Sequence, residues 1–146
     1  MCGITLQTYA RYCADNNLPP ATVVGLRHLS DAEWLEIFLA YYWKPCKADL
    51  IHSTWLAYVL VDWYWHFGKV AVRELQMLVG AMPDGIMGAQ TLHCIGLYNA
   101  RPLALSLLEM RKLYLLRLCN QNRDLQVFRR GWLNRIAALY QYLQLL

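Results

Sequence analysis

The sequence predicts an all-α globular fold, and three observations lead to that prediction. The chain has 146 residues, of which 58% are hydrophobic and 16% are charged, a balance that supports a sizeable core and excludes disorder. Apolar residues recur at spacings of three and four along most of the chain, as they do in amphipathic helices. No segment shows the alternating pattern of a β-strand. We therefore expect a single domain of packed helices over residues 1–146.

Two helices are predicted in the first third of the chain. The first runs from Leu6 to Ala14 behind a capping Thr5, and a loop is indicated after it by Asn16, Asn17, Pro19, Pro20 and Gly25. The second runs from Asp31 to Trp43, because Ser30 and Glu33 have the spacing of a capping box. Its apolar stripe consists of Trp34, Ile37, Phe38, Tyr41 and Tyr42.

The rest of the chain predicts five more helices. They span Thr54–Phe67, Lys69–Val79, Ala89–Leu97, Pro102–Cys119, and a segment from Asp124 almost to the end. Ser53 is the expected cap of the first of these, Gly68 marks its end, and Pro83-Asp84-Gly85 predicts a tight turn. The last two helices have inward stripes at Leu103, Leu107, Met110 and Tyr114, and at Phe128, Trp132, Ile136, Leu139 and Leu143.

The most apolar segment, Ile51–Phe67, is predicted to be a buried central helix. A membrane span needs about 20 mostly apolar residues, and this segment is shorter and is interrupted by His52, Asp62 and His66. We therefore expect no membrane insertion. The start of the chain lacks the charged and apolar regions of a signal peptide, which indicates a cytoplasmic location for the chain as written.

The net charge of +4 is mild, and much of it lies late in the chain. We expect these basic residues to form a solvated helix face: Arg111, Lys112, Arg117, Arg123, Arg129, Arg130 and Arg135. No motif that docks on nucleic acid accompanies them, so no nucleic-acid partner is predicted.

Neither the cysteines nor the histidines have the spacing of a metal site. The five cysteines form no CxxC pair and are expected to be mostly buried and free: Cys2, Cys13, Cys46, Cys94 and Cys119. The four histidines show no HExxH pairing: His28, His52, His66 and His93. We predict no metal and no cofactor.

Asp62 is the acid whose position most needs an explanation. It is the only acid between Asp49 and Glu74, and it lies within an apolar helix. A buried carboxylate is unfavourable unless it is paired or hydrogen-bonded. Asp62 therefore either caps a neighbouring helix or pairs with an arginine, or else it lines a substrate cleft. His66, one turn later, would face the same cleft, although a histidine there is more often a satisfied core or rim residue.

Three segments resemble glycoside hydrolase family 108, the N-acetylmuramidases once labelled secretion activator proteins. The first contains Lys47-Ala48-Asp49 and Leu60-Val61-Asp62-Trp63-Tyr64-Trp65, followed by Gly68. The second contains Leu75-Gln76, Gly80, Asp84-Gly85-Ile86-Met87-Gly88 and Thr91-Leu92, and resembles the family's peptidoglycan-binding region at 69–95. The third is Phe128-Arg129-Arg130-Gly131-Trp132-Leu133-Asn134-Arg135, and Tyr42-Trp43 matches a further YW motif.

The resemblance implies a lysozyme-like helical fold and a bacterial or phage-encoded protein that acts on the cell wall after release. The implied reaction is hydrolysis of the β-1,4 bond between N-acetylmuramic acid and N-acetylglucosamine, with peptidoglycan glycan strands as the partner. Five residues are predicted to bind substrate: Thr5, Tyr42, Trp43, Asp62 and His66. Of the aromatic candidates for stacking on sugars, which also include Trp55, Trp63 and Trp65, only one or two are expected to reach a ligand.

The resemblance departs from the family at the front of the chain. The family carries its catalytic glutamate in an E-G-G-[YF] motif that precedes a G-[IV]-T segment, which Gly3-Ile4-Thr5 matches here. That glutamate would lie upstream of Gly3, so no catalytic residue is assigned. We expect impaired hydrolysis, because general acid catalysis contributes roughly 10²–10⁴-fold in rate. Without the helix that carries this motif, its packing partners would expose apolar surface, and that surface would favour a homodimer.

Two alternatives to an impaired muramidase remain open. One is a non-catalytic peptidoglycan-binding or secretion-assisting protein. The other is active hydrolysis with a different acid, for which Asp62 is the first candidate. Glycosidases usually need two carboxylates that flank the scissile bond, and the ten acids of the sequence offer no obvious pair.

Overall fold

The computed structural model describes residues 3–145, and the helices expected from the sequence make up its fold. Within these residues eight α-helices occur and no β-strand, which confirms the predicted all-α class. The residues group into two compact units, one that ends at Pro45 and one that begins at Cys46. The organisation predicted from sequence, a single domain with a peptidoglycan-binding subregion at 69–95, stays a prediction.

The first unit contains helices α1 (Leu6–Asp15), α2 (Val23–Arg27) and α3 (Asp31–Phe38). Side chains cap all three, because the Oγ atoms of Thr5, Thr22 and Ser30 each accept a backbone N–H from the first turn. The capping box predicted at Ser30 and Glu33 is present, with the Ser30 N–H donating to Glu33 Oε2 at 2.9 Å. The predicted loop through Gly25 is wrong in part, since Gly25 lies inside α2.

The predicted helix Asp31–Trp43 continues as expected but changes its hydrogen bonding after Phe38. Residues Leu39–Trp43 form a π-helical turn, and the Lys44 N–H donates to the Leu39 carbonyl at 2.9 Å. Such turns are rare and often occur at functional sites. This one carries Tyr41, Tyr42 and Trp43, so it sets the direction of three aromatic side chains.

The second unit is built around helix α4 (Thr54–Phe67), whose bounds agree with the prediction. Its other helices are α5 (Lys69–Leu78), α6 (Ala89–Gly96), α7 (Ala100–Gln121) and α8 (Gln126–Leu145). Helix α4 packs against α5 and α7, and α7 packs in turn against α8. Burial identifies α4 as the centre of this unit, because half of its 14 residues are buried: Leu56, Ala57, Val59, Leu60, Val61, Asp62 and Trp63.

Gly68 makes the reversal between α4 and α5 possible. Its backbone has φ +55° and ψ −133°, a combination that side chains disfavour. Helix α5 therefore begins at Lys69, directly after α4 ends. Two short 3₁₀ turns complete the unit at Ala48–Leu50 and Arg123–Leu125.

Three details of the predicted helices are wrong. Helix α7 begins at Ala100 rather than Pro102, and the proline is tolerated because the first four N–H groups of a helix have no acceptor within the helix. Phe128 is 53% exposed and does not belong to the inward stripe of α8. Arg111 is only 2% exposed, so it is not part of a solvated face. The buried side of α7 consists of Leu103, Ala104, Leu107, Leu108, Arg111, Leu115 and Cys119.

The cysteines of the described residues are free, and most are buried as expected. Cys13, Cys46 and Cys119 are buried and Cys94 is half-buried, whereas Cys2 lies outside the described residues. Burial raises the pKa of the Cys46 thiol to about 12, so this thiol stays protonated. Among residues 3–145, no helix combines the length and the apolar character that a membrane span requires.

Candidate functional site

Asp62 lies at the centre of a buried charge cluster in the second unit. Its Oδ2 accepts a hydrogen bond at 2.6 Å from Nη1 of Arg111, and the Arg111 guanidinium is almost fully buried. Arg135 binds the same carboxylate from α8, with its Nε 3.0 Å from both oxygens and a second contact through Nη2. Asp62 therefore pairs with arginine, as one of the two sequence interpretations expected.

The two arginines keep Asp62 ionised. Burial by itself would raise the pKa of the carboxyl, but hydrogen bonds and positive charge from Arg135 and Arg111 outweigh it, and the pKa is lowered. A general acid in a glycosidase needs the opposite shift, so that it still holds its proton near neutral pH. Asp62 in this arrangement is suited to positioning its neighbours and not to donating a proton.

His66 borders this cluster one helical turn after Asp62. Its Nδ1 lies 3.0 Å from the Asp62 carbonyl oxygen and 3.5 Å from Nη2 of Arg111. The shorter contact assigns the proton to Nδ1, since two acceptors would repel each other at that distance. Partial burial and the charges of both arginines lower the pKa of His66 despite the favourable carbonyl contact. The neutral ring then has an acceptor at Nε2.

Acidification is expected to lower the midpoint of thermal unfolding in two stages. His66 has a lowered pKa in the fold, so its contribution to stability is present above the unfolded value of about 6.5 and is lost as the pH falls through the folded pKa. Asp62 has a lowered pKa too, and its contribution starts to be lost below about 3.9. Thermal unfolding followed by circular dichroism between about pH 8 and 3 measures both stages. A His66→Gln variant that keeps the first stage would contradict the assignment.

The first unit contains a polar recess of about 280 Å³ on its surface. It is lined by Gln7, Thr8, Arg11, Tyr41 and Tyr42, which come from α1 and the π-helical turn. The Thr8 hydroxyl lies 3.4 Å from the Tyr42 hydroxyl and 3.0 Å from that of Thr5. The recess therefore joins two predicted site residues, Thr5 and Tyr42, through a threonine that the sequence reasoning did not select.

Arg11 and Tyr41 are held in place at this recess by Asp15. The guanidinium of Arg11 lies over the Tyr41 ring, 4.9 Å from its centroid, and 3.6 Å from the Asp15 carboxylate. The Tyr41 hydroxyl donates to Asp15 at 2.7 Å, and burial together with this hydrogen bond raises the pKa of Tyr41 to about 12. The Tyr41 ring and the largely exposed Arg11 guanidinium thus line the recess together.

Trp43 is half-buried and lies at the end of the π-helical turn. Its ring is tilted by 44° against Phe38, at 6.2 Å between centroids. Phe38 also stacks on Tyr42 at 6.3 Å and on Trp34 at 5.4 Å. These four rings form an aromatic cluster, and Tyr42 belongs both to this cluster and to the lining of the recess.

A third polar network fixes the Asp84-Gly85 turn of the second unit. The buried Gln76 directs its Nε2 to Asp84 Oδ1 at 2.8 Å, to the Ile86 carbonyl at 3.0 Å and to Thr91 Oγ1 at 3.0 Å. Its Oε1 accepts the N–H of Gly85 at 2.8 Å. Gly85 has φ +76°, and a Cβ there would approach Arg73 Nε to 3.2 Å, so both conformation and space favour glycine.

Sequence reasoning selected Asp62 and His66 but missed the arginines that hold them. Arg111 shares the helical phase of Leu107, Leu108 and Leu115, and this spacing was the available signal that its side chain points inward. Arg135 precedes the buried Ile136 and carried no comparable signal.

Two family models match the chain one after the other. Residues 1–68 match the model described as Glycosyl hydrolase 108, and residues 70–137 match the model described as Predicted Peptidoglycan domain. No protein with a curated description matches the sequence. The solved structure of Brucella abortus SagA is similar, with a TM-score of 0.82 and 24% identity over 97% of this chain and 77% of that chain. The lysozyme-like fold expected from the motifs is confirmed, and so is the resemblance to glycosyl hydrolase 108, whose model matches residues 1–68 and is followed by the match to a predicted peptidoglycan domain.

Proposed function

We propose that the protein acts on the bacterial cell wall by binding the glycan strands of peptidoglycan. The two adjoining family matches support this target. The observation that carries the proposal is the recess of Thr8, Arg11, Tyr41 and Tyr42, which combines hydroxyl groups, a guanidinium and tyrosine rings. Tyrosine offers an apolar ring and a polar hydroxyl, and both complement a sugar, whose ring faces are apolar and whose edge is polar.

Within the second unit, His66 is the side chain that we assign to sugar contact. Its Nε2 is an acceptor for a sugar hydroxyl, because Nδ1 is used in the contact with the Asp62 carbonyl. Asp62 acts through its neighbours, since its oxygens are occupied by Arg111 and Arg135. A role of Trp43 in binding stays a prediction.

The family reaction, hydrolysis of the β-1,4 bond between N-acetylmuramic acid and N-acetylglucosamine, is proposed to be weak in this polypeptide. The acids that accept hydrogen bonds or form ion pairs within the described residues include Asp15, Glu33, Glu36, Asp62, Asp84 and Glu109. Burial raises the pKa of Glu74, but the positive charge of Arg117 opposes that shift. A glycosidase needs a protonated acid facing a second carboxylate across the substrate.

The engagement of these acids also favours the alternative function, a non-catalytic peptidoglycan-binding or secretion-assisting protein. Turbidity loss of purified peptidoglycan separates the two, measured beside a family member that carries the E-G-G-[YF] motif. We expect clearing by that relative and not by the 146-residue polypeptide. Clearing by the polypeptide itself would place a catalytic group among its ten acids, and Glu74→Gln is then the first variant to examine.

Removing the hydroxyls of the recess is expected to weaken glycan binding. The double variant Thr8→Val/Tyr42→Phe keeps the volume of both side chains and removes their hydrogen bonds. With about 0.5–1.5 kcal/mol for each hydrogen bond, affinity for peptide-free glycan strands should fall roughly tenfold. Co-sedimentation with insoluble glycan at increasing protein concentration measures the change.

The matched control is Tyr98→Phe, which removes the hydroxyl of an exposed tyrosine in the second unit. Circular dichroism must show that all variants are folded. If the double variant binds glycan as tightly as the unaltered protein, the recess is not the glycan site.

A further inference from the structure

The exposed side of α8 carries two arginines that form no ion pair with any acid among residues 3–145. Arg129 and Arg130 are exposed, and the four ion pairs found among residues 3–145 use other cations: Arg11, Arg111, Lys112 and Arg135. The acid nearest to them in sequence is Asp124, and Arg123 precedes it. This start of the helix is therefore positively charged, and its charge is not used for folding.

The two arginines border a groove with a mixed lining. This groove is open and shallow, with about 350 Å³ over one face of α8, and it is lined by Gln126, Arg129, Arg130, Leu133 and Asn134. Guanidinium groups bind carboxylates in a planar, bidentate manner. The amide side chains of Gln126 and Asn134 can donate to and accept from peptide groups, and Leu133 provides an apolar surface. This combination suits a short peptide that bears carboxylates better than it suits a neutral sugar.

The opposite side of the same segment is fixed to the rest of the second unit. Arg135 binds Asp62, and Trp132 makes an edge contact with Phe67 at 5.7 Å between centroids. Gln126, which lines the groove itself, also anchors the start of the helix, because its Nε2 donates to the Cys119 carbonyl at 2.9 Å. The helix that carries Arg129 and Arg130 is thus held in position before any ligand arrives, which reduces the ordering that binding requires.

We propose that this groove binds the carboxylates of the stem peptides of peptidoglycan. The inference rests on the proposed function, because that function makes the cell wall the source of the ligand. The sugars of a peptide-substituted glycan strand are neutral, whereas the stem peptides carry free carboxylates and peptide amides. One chain would then bind both parts of the polymer, the glycan at the recess of the first unit and the peptide at the groove that Arg129 and Arg130 border.

The test compares Arg129→Gln/Arg130→Gln with the control Arg27→Gln/Arg117→Gln, which removes the same charge from exposed positions on α2 and α7. Four probes are used: intact insoluble peptidoglycan, glycan stripped of stem peptides by an amidase with the lactyl carboxylates freed by that hydrolysis then converted to amides, a synthetic stem tetrapeptide with free or amidated carboxylates, and vesicles of phosphatidylglycerol.

We expect Arg129→Gln/Arg130→Gln to lose at least about tenfold in affinity for intact peptidoglycan and for the free-carboxylate peptide. It should bind stripped glycan as the unaltered protein does, and the control should behave normally on every probe. The inference is overturned if the double variant keeps its full affinity for intact peptidoglycan, or if the control loses as much affinity as the double variant does. It is also overturned if the amidated peptide binds as tightly as the free-carboxylate peptide. If the vesicles bind the unaltered protein as tightly as intact peptidoglycan does, the inference is also overturned, in favour of an anionic membrane surface. If the unaltered protein binds neither intact nor stripped polymer, the result counts against the proposed function instead. Binding of the soluble peptide then still tests the groove on its own.

Discussion

Replacing Asp62 by alanine is expected to lower the free energy of unfolding by about 3–5 kcal/mol, the range found when one partner of a buried ion pair is removed. Arg111 is 2% exposed and would keep its charge without a counter-ion, and its Nε already has no acceptor among the described residues. Arg135 would suffer less, because half of its side chain is exposed and can be solvated. Urea denaturation followed by circular dichroism measures the loss.

Two further variants separate the charge effect from the loss of volume. Asp62→Asn keeps the shape and removes the charge, so it should destabilise nearly as much as alanine. The double variant Asp62→Leu/Arg111→Met removes both buried charges, and it should recover a large part of the lost stability. Asp124→Ala, at an exposed acid, should stay within about 0.5 kcal/mol of the unaltered protein. A loss below about 1 kcal/mol for Asp62→Ala would show that the cluster does not stabilise the fold.

Local signals explain why the helices were predictable. Ser30 and Glu33 mark the start of α3, and Ser53 and Gly68 mark the two ends of α4. Such caps act over one helical turn, so they can be recognised within a few residues of sequence. Helix α2 was missed because its five residues are too few to show a periodic pattern, and Gly25 inside it reads as a loop residue. The π-helical turn was not predicted either, since apolar periodicity does not distinguish it from a continued α-helix.

The partners of Asp62 were not predictable to the same degree. Its need for a cation followed from its apolar surroundings, but Arg111 and Arg135 lie 49 and 73 residues further along the chain. Several basic residues of the last third were equally available by composition. The packing of α7 and α8 around α4 selects these two, and that selection depends on tertiary structure.

Four of the five predicted site residues, all except Trp43, fall into two groups by their observed contacts. Thr5 and Tyr42 meet through Thr8, and Asp62 and His66 meet through the Asp62 carbonyl. The motif around Asp84-Gly85 was recognised as a pattern, yet the role of Gln76 within it was not. An amide that satisfies a turn eight to ten residues away leaves no periodic signal in the sequence.

Replacing Gln76 by leucine is expected to lower the free energy of unfolding by about 2–4 kcal/mol, since each buried polar group left unsatisfied costs about 1–3 kcal/mol. Leucine approximates the volume of glutamine but cannot accept the Gly85 N–H or donate to Thr91, and both of these residues are buried. Asp84 is exposed and can exchange its lost hydrogen bond for water. The turn should therefore loosen mainly at Gly85, whose positive φ the Gln76 hydrogen bond helps to maintain.

Urea denaturation measures the stability, and amide hydrogen exchange at Gly85 and Ile86 reports on the turn itself. Gln90→Leu is the matched control, because Gln90 is an exposed glutamine on α6. Exchange at Gly85 should accelerate in Gln76→Leu by more than global unfolding explains, while the control keeps both its stability and its protection. If Gln76→Leu unfolds within about 0.5 kcal/mol of the unaltered protein, the network is dispensable and the turn is held by Asp84 and Gly85 alone.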